Sequence, residues 1–365
     1  MSMKLEEFAR ESRATHKGDK SGVPIVGLEH LIPQEIKFSG YDVDTENTFT
    51  KTFKKGQILF GRRRAYLKKA AIADFDGICS GDITVIEAIP GKVDPLLLPF
   101  IIQNDKFFDY AVSRSAGGLS PRVKWEHLKD YEFDLPPIEE QRILADKLWA
   151  AYRLKESYKK LLTATQEMVK SQFIEMFGNP VTNTKGWKTA KIKDVAPEMP
   201  SKEQLSGKIW LLNLDMIESN TGRIIEKVYE DVENALSVQS FDEGNVLFSK
   251  LRPYLNKVVI PDEPGMATTE LVPLRPEPSK LHKVFLSHLL RGNQFVNYAN
   301  DIAGGTKMPR MPLTELRNFD CILPPMDKQL EFVFIAEQVD KSKSVIQKAL
   351  VYLNDIQSDE LGKIA

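Results

Sequence analysis

The segment Leu135-Pro136-Pro137-Ile138-Glu139-Glu140-Gln141 returns later in the chain as Leu323-Pro324-Pro325-Met326-Asp327-Lys328-Gln329, an offset of 324 − 136 = 188 residues. Nothing else in the sequence restricts the fold as much. The same offset carries Phe53-Lys54-Lys55-Gly56-Gln57-Ile58-Leu59-Phe60 onto Phe241-Asp242-Glu243-Gly244-Asn245-Val246-Leu247-Phe248. Arg64, Tyr66, Leu67 and Lys69 fall on Arg252, Tyr254, Leu255 and Lys257. Gly77, Phe107, Tyr110, Arg122 and Leu128 fall on Gly265, Phe295, Tyr298, Arg310 and Leu316. Toward the ends the offset slips by a residue or two, so that Leu5-Glu6-Glu7-Phe8-Ala9 resembles Ile192-Lys193-Asp194-Val195-Ala196. One offset held across so many identities makes the chain two copies of one unit.

Each copy closes on a long helix. Pro136 and Pro137 stop the preceding run, and their missing N–H costs nothing at a helix start. Glu139 and Glu140 then sit in the first turn, where the positive helix end favours acids. No proline or glycine follows until Gly178, with Pro180 just beyond it. Leu144, Leu148, Ala151, Leu154, Tyr158, Leu161, Thr165, Met168, Gln172 and Met176 recur every three or four residues, which predicts a helix of about 40 residues with these positions on its covered seam. Ile335, Val339, Ser342, Ile346, Ala349, Leu353 and Ile356 predict the second helix. Stripes of that length need a partner in water, and the two helices are expected to pair antiparallel as a coiled coil. The expected fold is therefore α+β. Two similar globular α/β domains, at residues 1–134 and 179–322, are separated by long helices at 135–178 and 323–365, with a pseudo-twofold repeat inside one chain.

Within the globular parts, strands are expected at Val23–Leu28, Gln57–Phe60, Ala70–Ala73 and Asp82–Ile86, and at Ile209–Leu214, Val246–Phe248, Lys257–Ile260 and Glu270–Leu274. Pro95–Val112 and Lys283–Ala299 read as helices. Ala116-Gly117-Gly118 and Ala303-Gly304-Gly305 read as turns that need permissive φ.

Motifs for catalysis are missing. There is no phosphate loop of the G-x-x-x-x-G-K-[ST] type and no G-x-G-x-x-G after a strand, and the five histidines lack H-E-x-x-H spacing. Asp134 and Ile138 do not complete the Asn/Asp-Pro-Pro-aromatic loop of amino-methyltransferases, so the double prolines read as helix starts. Asp82 and Glu270 are equivalent by the offset, and one carboxylate per domain reads as structural. No enzyme activity, cofactor or metal is expected. Only Cys79 and Cys321 occur, which points to two buried thiols in a reducing compartment. The first residues carry no secretory apolar stretch and no run is long enough to span a membrane, so a cytoplasmic protein is expected.

The net charge of −1 gives no global signal for nucleic acid, and any such contact has to come from local patches. Two patches exist, again in register. Gly61–Lys69 holds five cations, Arg62, Arg63, Arg64, Lys68 and Lys69, around Tyr66. Its counterpart Ser249–Lys257 keeps Lys250, Arg252 and Lys257 around Tyr254. Such residues neutralise phosphates, and arginine also reads guanine edges. The bland alternative is a solvated loop whose Arg64 and Arg252 pair with carboxylates of the same domain. A second basic group, Arg122, Lys124, Lys307 and Arg310, lies near the Gly-Gly turns. All these residues are candidate DNA contacts.

The order and duplication of these features resemble the DNA-specificity (S) subunit of type I restriction-modification systems. The marks are the repeated Leu-Pro-Pro-x-x-x-Gln at 135–141 and 323–329, Gly56–Phe60 with Gly244–Phe248, and Phe177-Gly178-Asn179-Pro180 closing the first helix. The resemblance implies two target-recognition domains, each reading one half of a bipartite double-stranded DNA site. It implies helices that fix the gap and dock two methyltransferase subunits, with the restriction and translocase subunits joining through the methyltransferase. Recognition without catalysis follows, in agreement with the failed motif search. The second helix lacks the Phe-Gly-Asn-Pro close of the first. Two other readings stay open: a separate specificity subunit for a combined restriction-methylation enzyme, and a coiled-coil interaction protein with no DNA role.

Overall fold

The computed structural model describes residues 2–202, 205–231, 237–305 and 307–364. Ala365, the last residue of the expected second helix, lies outside them. The chain divides into two compact units. One comprises Met1–Tyr158 with Lys348–Ala365, and the other Lys159–Gln347. Both mix helix and sheet.

In the first unit an antiparallel sheet runs in the order Ala9–Ser12, Ile83–Ala88, Ile58–Gly61, Ala70–Ile72. A smaller sheet sets Gly77–Cys79 between Ile25–Val26 and Lys51–Phe53. In the second unit Val246–Ser249 lies between Val258–Val259 and Leu271–Leu274. The smaller sheet's counterpart is ordered Val228–Asp231, Lys208–Leu212, Gly265–Thr268, Val238–Phe241. A short ribbon ties each unit's beginning to the strand before its long helix: Ser2–Lys4 with Glu132–Asp134, and Thr189–Lys191 with Asp320–Ile322.

The repeated Gly77 and Gly265 have a steric cause. A Cβ on Gly77 would stand 2.6 Å from the Pro24 carbonyl oxygen and 2.7 Å from the Phe53 ring. On Gly265 it would stand 2.6 Å from the Trp210 carbonyl oxygen and 2.7 Å from the Phe241 ring. Only glycine lets the two neighbouring strands close on this one.

Several expected elements are shorter. Val23–Leu28 is a strand only at Ile25–Val26, because Leu28–His30 turns as His30 Nδ1 takes the Gly27 N–H at 2.9 Å. Ile209–Leu214 likewise ends as a strand at Leu212 and turns at Leu214–Met216. Pro95–Val112 is two helices, Leu98–Ile102 and Asp105–Ser113, since Asn104 is extended and its side chain caps the second by accepting from Lys106 N. Lys283–Ala299 breaks in the same place, at extended Gly292, into Lys283–Arg291 and Asn293–Asp301.

The long helices run Ile138–Phe177 and Met326–Gly362. Each unit's main core joins its sheet to parts of both. In the first unit Phe60, Phe100, Phe107 and Phe133 pack in one cluster with Leu148, Tyr152, Leu361 and Ile364. In the second, Phe285 and Phe295 share a cluster with Val169, Phe173, Phe177, Phe332 and Val339. The covered face of the first helix therefore follows Ala145, Leu148, Tyr152, Val169, Phe173 and Phe177, while Leu154, Leu161 and Met168 of the expected seam are exposed. That helix carries two apolar stripes, and the aromatic one packs against the sheets. On the second helix Val339, Ile346 and Leu353 are buried as expected, but Ser342 is exposed and the neighbouring Lys343 takes the covered position.

The glutamine of the repeated helix-start motif pins the helix to its unit. Gln141 Oε1 accepts from Asp94 N at 2.9 Å and its amide donates to the Pro136 carbonyl at 3.0 Å. Gln329 Oε1 accepts from His282 N at 2.9 Å, and its Nε2 donates to the Lys280 and Pro324 carbonyls, both at 2.9 Å. Both side chains are buried, so these bonds satisfy backbone groups that water cannot reach. No helix among the described residues is long and apolar enough to cross a membrane.

Candidate nucleic-acid interface

In each unit the basic loop leaves the end of a central strand and makes one 3-10 turn between two left-handed residues. Arg64 (φ 53°) and Lys68 (φ 50°) flank Ala65–Leu67 in the first unit. Arg252 (φ 49°) and Asn256 (φ 47°) flank Pro253–Leu255 in the second. Side chains other than glycine rarely hold this conformation, at a cost of about 1–2 kcal/mol each, and such residues concentrate at functional sites.

Backbone bonds hold the shape. Arg64 N donates to the Pro121 carbonyl at 2.8 Å and Val123 N to the Arg62 carbonyl at 3.0 Å. Arg252 N donates to the Pro309 carbonyl at 2.7 Å and Met311 N to the Lys250 carbonyl at 2.9 Å. The Gly-Gly turn is thereby zipped onto the basic loop. The two basic groups that lie some 50 residues apart in sequence become one surface in each unit, as the bridges Arg63 to Arg122 and Leu251 to Arg310 record.

The cations on that surface divide into two kinds. Some are tied to the protein. Arg122 donates to both oxygens of Asp82, at 2.7 and 3.2 Å, and Arg310 to Glu270 at 2.9 and 3.0 Å. The Arg122 hydrogen bond holds the Asp82 carboxyl below the usual carboxylate range, and Asp82 in turn raises the arginine. Lys69 Nζ donates to the Leu28 carbonyl at 2.8 Å and Lys257 Nζ to the Leu214 carbonyl at 2.6 Å. Lys68 pairs with Asp105, and Arg63 reaches Ser120 Oγ at 3.1 Å and Asp82 at 3.5 Å. Several cations repeated at the offset thus hold the fold of the loop, a function the sequence pattern alone does not separate from DNA contact. Asp82 and Glu270, read as structural, are the acceptors.

Others are unengaged. Arg64, Lys124 and Lys307 are exposed and make no side-chain hydrogen bond or ion pair among the described residues. Tyr66 and Tyr254 stand out from equivalent turns, 53% and 49% exposed. Arg62 and Arg252 keep a sealed Nε with no acceptor among the described residues. Arg62 and Lys124 border a cleft of about 690 Å³ with Arg13, Asp82 and Trp125. The pairing of Arg64 and Arg252 with carboxylates, the bland reading of these loops, does not occur among the described residues. One residue that charge patterning overlooks is Leu119, 96% exposed in the Gly-Gly turn beside Ser120 and Arg122. An apolar side chain in a loop gives no signal until its surroundings are known.

Elsewhere, Glu29, His30 and Asp42 bring one ligand atom each within 4.8 Å, but His30 Nδ1 already takes the Gly27 N–H. Cys79 and Cys321 are both buried free thiols, and burial pushes each up to about 12.

Residues 8–164 and 184–351 each match the family model of the type I restriction modification DNA specificity domain. The chain belongs to this family. Both matched segments take in a globular part together with much of the following helix, so the specificity domain and the internal repeat coincide. The type I restriction enzyme EcoDI specificity subunit of Escherichia coli is 24% identical over 290 residues, covering 68% of this chain. This chain spans 64% of the length of that relative. A solved type I restriction-modification S subunit from M. genitalium aligns over 100% of this chain and 95% of its own, with TM-score 0.60 and 14% identity. A chain from a structure on assembly and conformational transition of the type I R-M system aligns over 100% and 96%, with TM-score 0.57 and 18% identity. At these identities the structural matches establish the shared fold.

Proposed function

We propose that this chain is the non-catalytic DNA-recognition and assembly subunit of a type I restriction-modification complex, acting in the cytoplasm. The observation that carries the proposal is the duplicated loop pair, with its left-handed flanks and exposed tyrosine, inside each of two matched specificity segments. Each globular part, 1–134 and 179–322, reads one half of a bipartite duplex site. Arg62, Arg63, Arg64, Tyr66, Lys68 and Lys124 serve the first half, and Lys250, Arg252, Tyr254 and Lys307 the second. Unpaired cations contact phosphates, and an arginine at the edge of the turn reads a base. Lys69, Arg122, Lys257 and Arg310 take part chiefly by shaping the surface, a reading supported by their intramolecular bonds.

The segments 135–178 and 323–365 act as a ruler, pairing antiparallel as a coiled coil about a pseudo-twofold axis. Two methyltransferase subunits dock along them and bring in the restriction and translocase subunits. Exposed Leu154, Leu161 and Met168, spaced by seven, offer an apolar stripe for that docking. Adenine methylation and DNA cleavage then belong to the partners.

Insertion of one turn, four residues near Lys159, tests the ruler. A turn advances about 5.4 Å, so methylation mapping should find the gap between half-sites longer by one or two base pairs, at about 3.4 Å each. An unchanged gap rejects it. Co-purification settles the assembly: separate methyltransferase and restriction subunits are expected, and a single combined polypeptide would indicate the related arrangement instead.

A further inference from the structure

In the second unit the helix Asn293–Asp301 starts at Gly292 without a side-chain cap. The N–H groups of Asn293, Gln294 and Phe295 have no acceptor among the described residues. This helix start borders a cavity of about 450 Å³, walled by Gln166–Glu175 of the first long helix and by Asn220. His288, Arg291 and Lys343 line the same cavity.

Lys343 is paired with Asp340, but His288 and Arg291 lack partners of that kind among the described residues. His288 is 8% exposed and neither ring nitrogen has a hydrogen bond among the described residues; its ring meets Phe332 edge-on. The Arg291 Nε is sealed from solvent with no acceptor among the described residues, and the side chain lines the cavity. Gly222 makes room for it: a Cβ there would stand 2.0 Å from Nη1. No carboxylate pairs with this guanidinium among the described residues, since Asp340 is bound to Lys343 Nζ at 3.0 Å. Of the acids in the wall, Glu167 is paired with Lys170 at 2.9 Å, and Glu175 is exposed. Burial lowers both His288 and Arg291, the histidine far enough to stay neutral. Asp340 is near enough to act on the Arg291 charge but is held by Lys343, and an enclosed guanidinium without an ion pair of its own is unfavourable unless something else supplies one.

The first unit shows that the shared fold does not require this arrangement. At the offset of 188, Phe100 replaces His288, Gln103 replaces Arg291 and Asn104 replaces Gly292. Gln103 donates to the carbonyls of Glu35 and Ala70. Asn104 caps Lys106 N at 2.9 Å and donates to the Leu361 carbonyl at 2.7 Å. There the side chains at both positions are engaged within the protein.

We propose that the second unit binds a small phosphate monoester in this cavity. The phosphate sits at the free N–H groups of the helix start with Arg291 as counter-ion and Lys343, already paired with Asp340, beside it, and the polar remainder lies against Gln166, Ser171 and Asn220. A helix start joined to a buried cation is a ready anion site. The volume exceeds what an inorganic ion fills, which favours a monoester over the free anion.

The full chain, without DNA, is titrated with inorganic phosphate and with adenosine monophosphate at constant ionic strength, by calorimetry and by thermal unfolding. Both anions should bind saturably and raise the unfolding midpoint, the monoester more tightly. Arg291→Met should weaken binding at least about tenfold while leaving the unliganded midpoint no lower, because it removes an uncompensated buried charge. Gly292→Asn copies the cap of the first unit and should weaken binding similarly in a chain at least as stable. Equal affinity for both anions would assign the site to free phosphate. The proposal fails if neither anion binds saturably, or if both variants bind as the wild type does. It also fails if Arg291→Met changes only assembly with a methyltransferase, which would make the cavity a seat for a partner's acid. With no DNA in the assay, these outcomes do not depend on the reading of the basic loops.

Discussion

The two units keep the same internal fastenings and differ in what they leave facing outward. Gln141 and Gln329 clamp the helix start to the corresponding loop, Asp82–Arg122 and Glu270–Arg310 clamp the corresponding turn, and Lys69 and Lys257 each hold one carbonyl, of Leu28 and of Leu214. Beyond these the copies part. The first presents three consecutive arginines where the second has Lys250, Leu251 and Arg252. In the first, Ile83–Ala88 is flanked by strands on both sides. In the second, Pro273 stands in the place of Val85 and has no N–H to give. The outer strand is reduced there to a Glu198–Leu274 bridge and a bond from Met199 N to the Pro273 carbonyl. Duplication has preserved the groups that satisfy buried backbone and released those that meet solvent or a cavity.

The comparison breaks most visibly at the basic loops. Replacing Arg62, Arg63 and Arg64 by alanine should weaken DNA binding strongly and reduce the salt slope by up to about 2.7, at about 0.9 per lost phosphate contact. Lys250→Ala with Arg252→Ala should reduce it by up to about 1.8 on the same scale. Equal slopes for the two variants would remove the asymmetry, and no change in either would place the DNA elsewhere.

Next in size is the clamp at the helix start. Gln329→Ala should destabilise the chain by about 3 kcal/mol and Gln141→Ala by about 2, since each leaves buried backbone groups unpaired. Urea unfolding gives the totals, and hydrogen exchange at the His282 and Asp94 amides locates the damage. Slow exchange persisting at those amides would deny the clamp its role.

Acid sharpens the contrast between His288 and Phe100. Because folding lowers the affinity of His288 for its proton, its contribution to stability is complete above the unfolded value near 6.5 and declines as pH falls below it. In phosphate-free buffer His288→Phe should remove up to about 1.4 kcal/mol of that decline per pH unit below about 6.5. The reverse change, Phe100→His, should introduce a similar dependence in the first unit.

The smallest effect belongs to the exposed ion pairs. Asp82 is depressed by Arg122, so its stabilisation is present above the ordinary carboxylate range and lost as pH drops below about 4. Asp82→Asn should flatten that acid limb, speed amide exchange across Ala116–Arg122 and free Arg122 for phosphate. If the variant keeps the wild-type acid limb, the pair contributes nothing measurable, a common result for exposed pairs.

Much of this was legible in the residues themselves. The repeat, the two long helices with their proline starts, and the basic loops depend on spacing and punctuation that a linear chain displays. Which apolar stripe of the first helix is covered was not legible, because Tyr152 and Val169 compete with Leu154 and Leu161 until the sheets choose between them. Nor does any local pattern say that Arg122 closes on Asp82 while Lys124 stays unengaged, or that the Gly-Gly turn lies on the arginine loop. The cavity beside Arg291 joins residues from four separated segments, so only the packed chain brings its charges together. By itself the sequence determined the duplication, the element types and the positions where charge is repeated, since these follow from chemistry between near neighbours. The tertiary structure alone decided which repeated charges are spent inside the fold and which remain available to a ligand, because that depends on acceptors distant in the chain and on the exclusion of water around them.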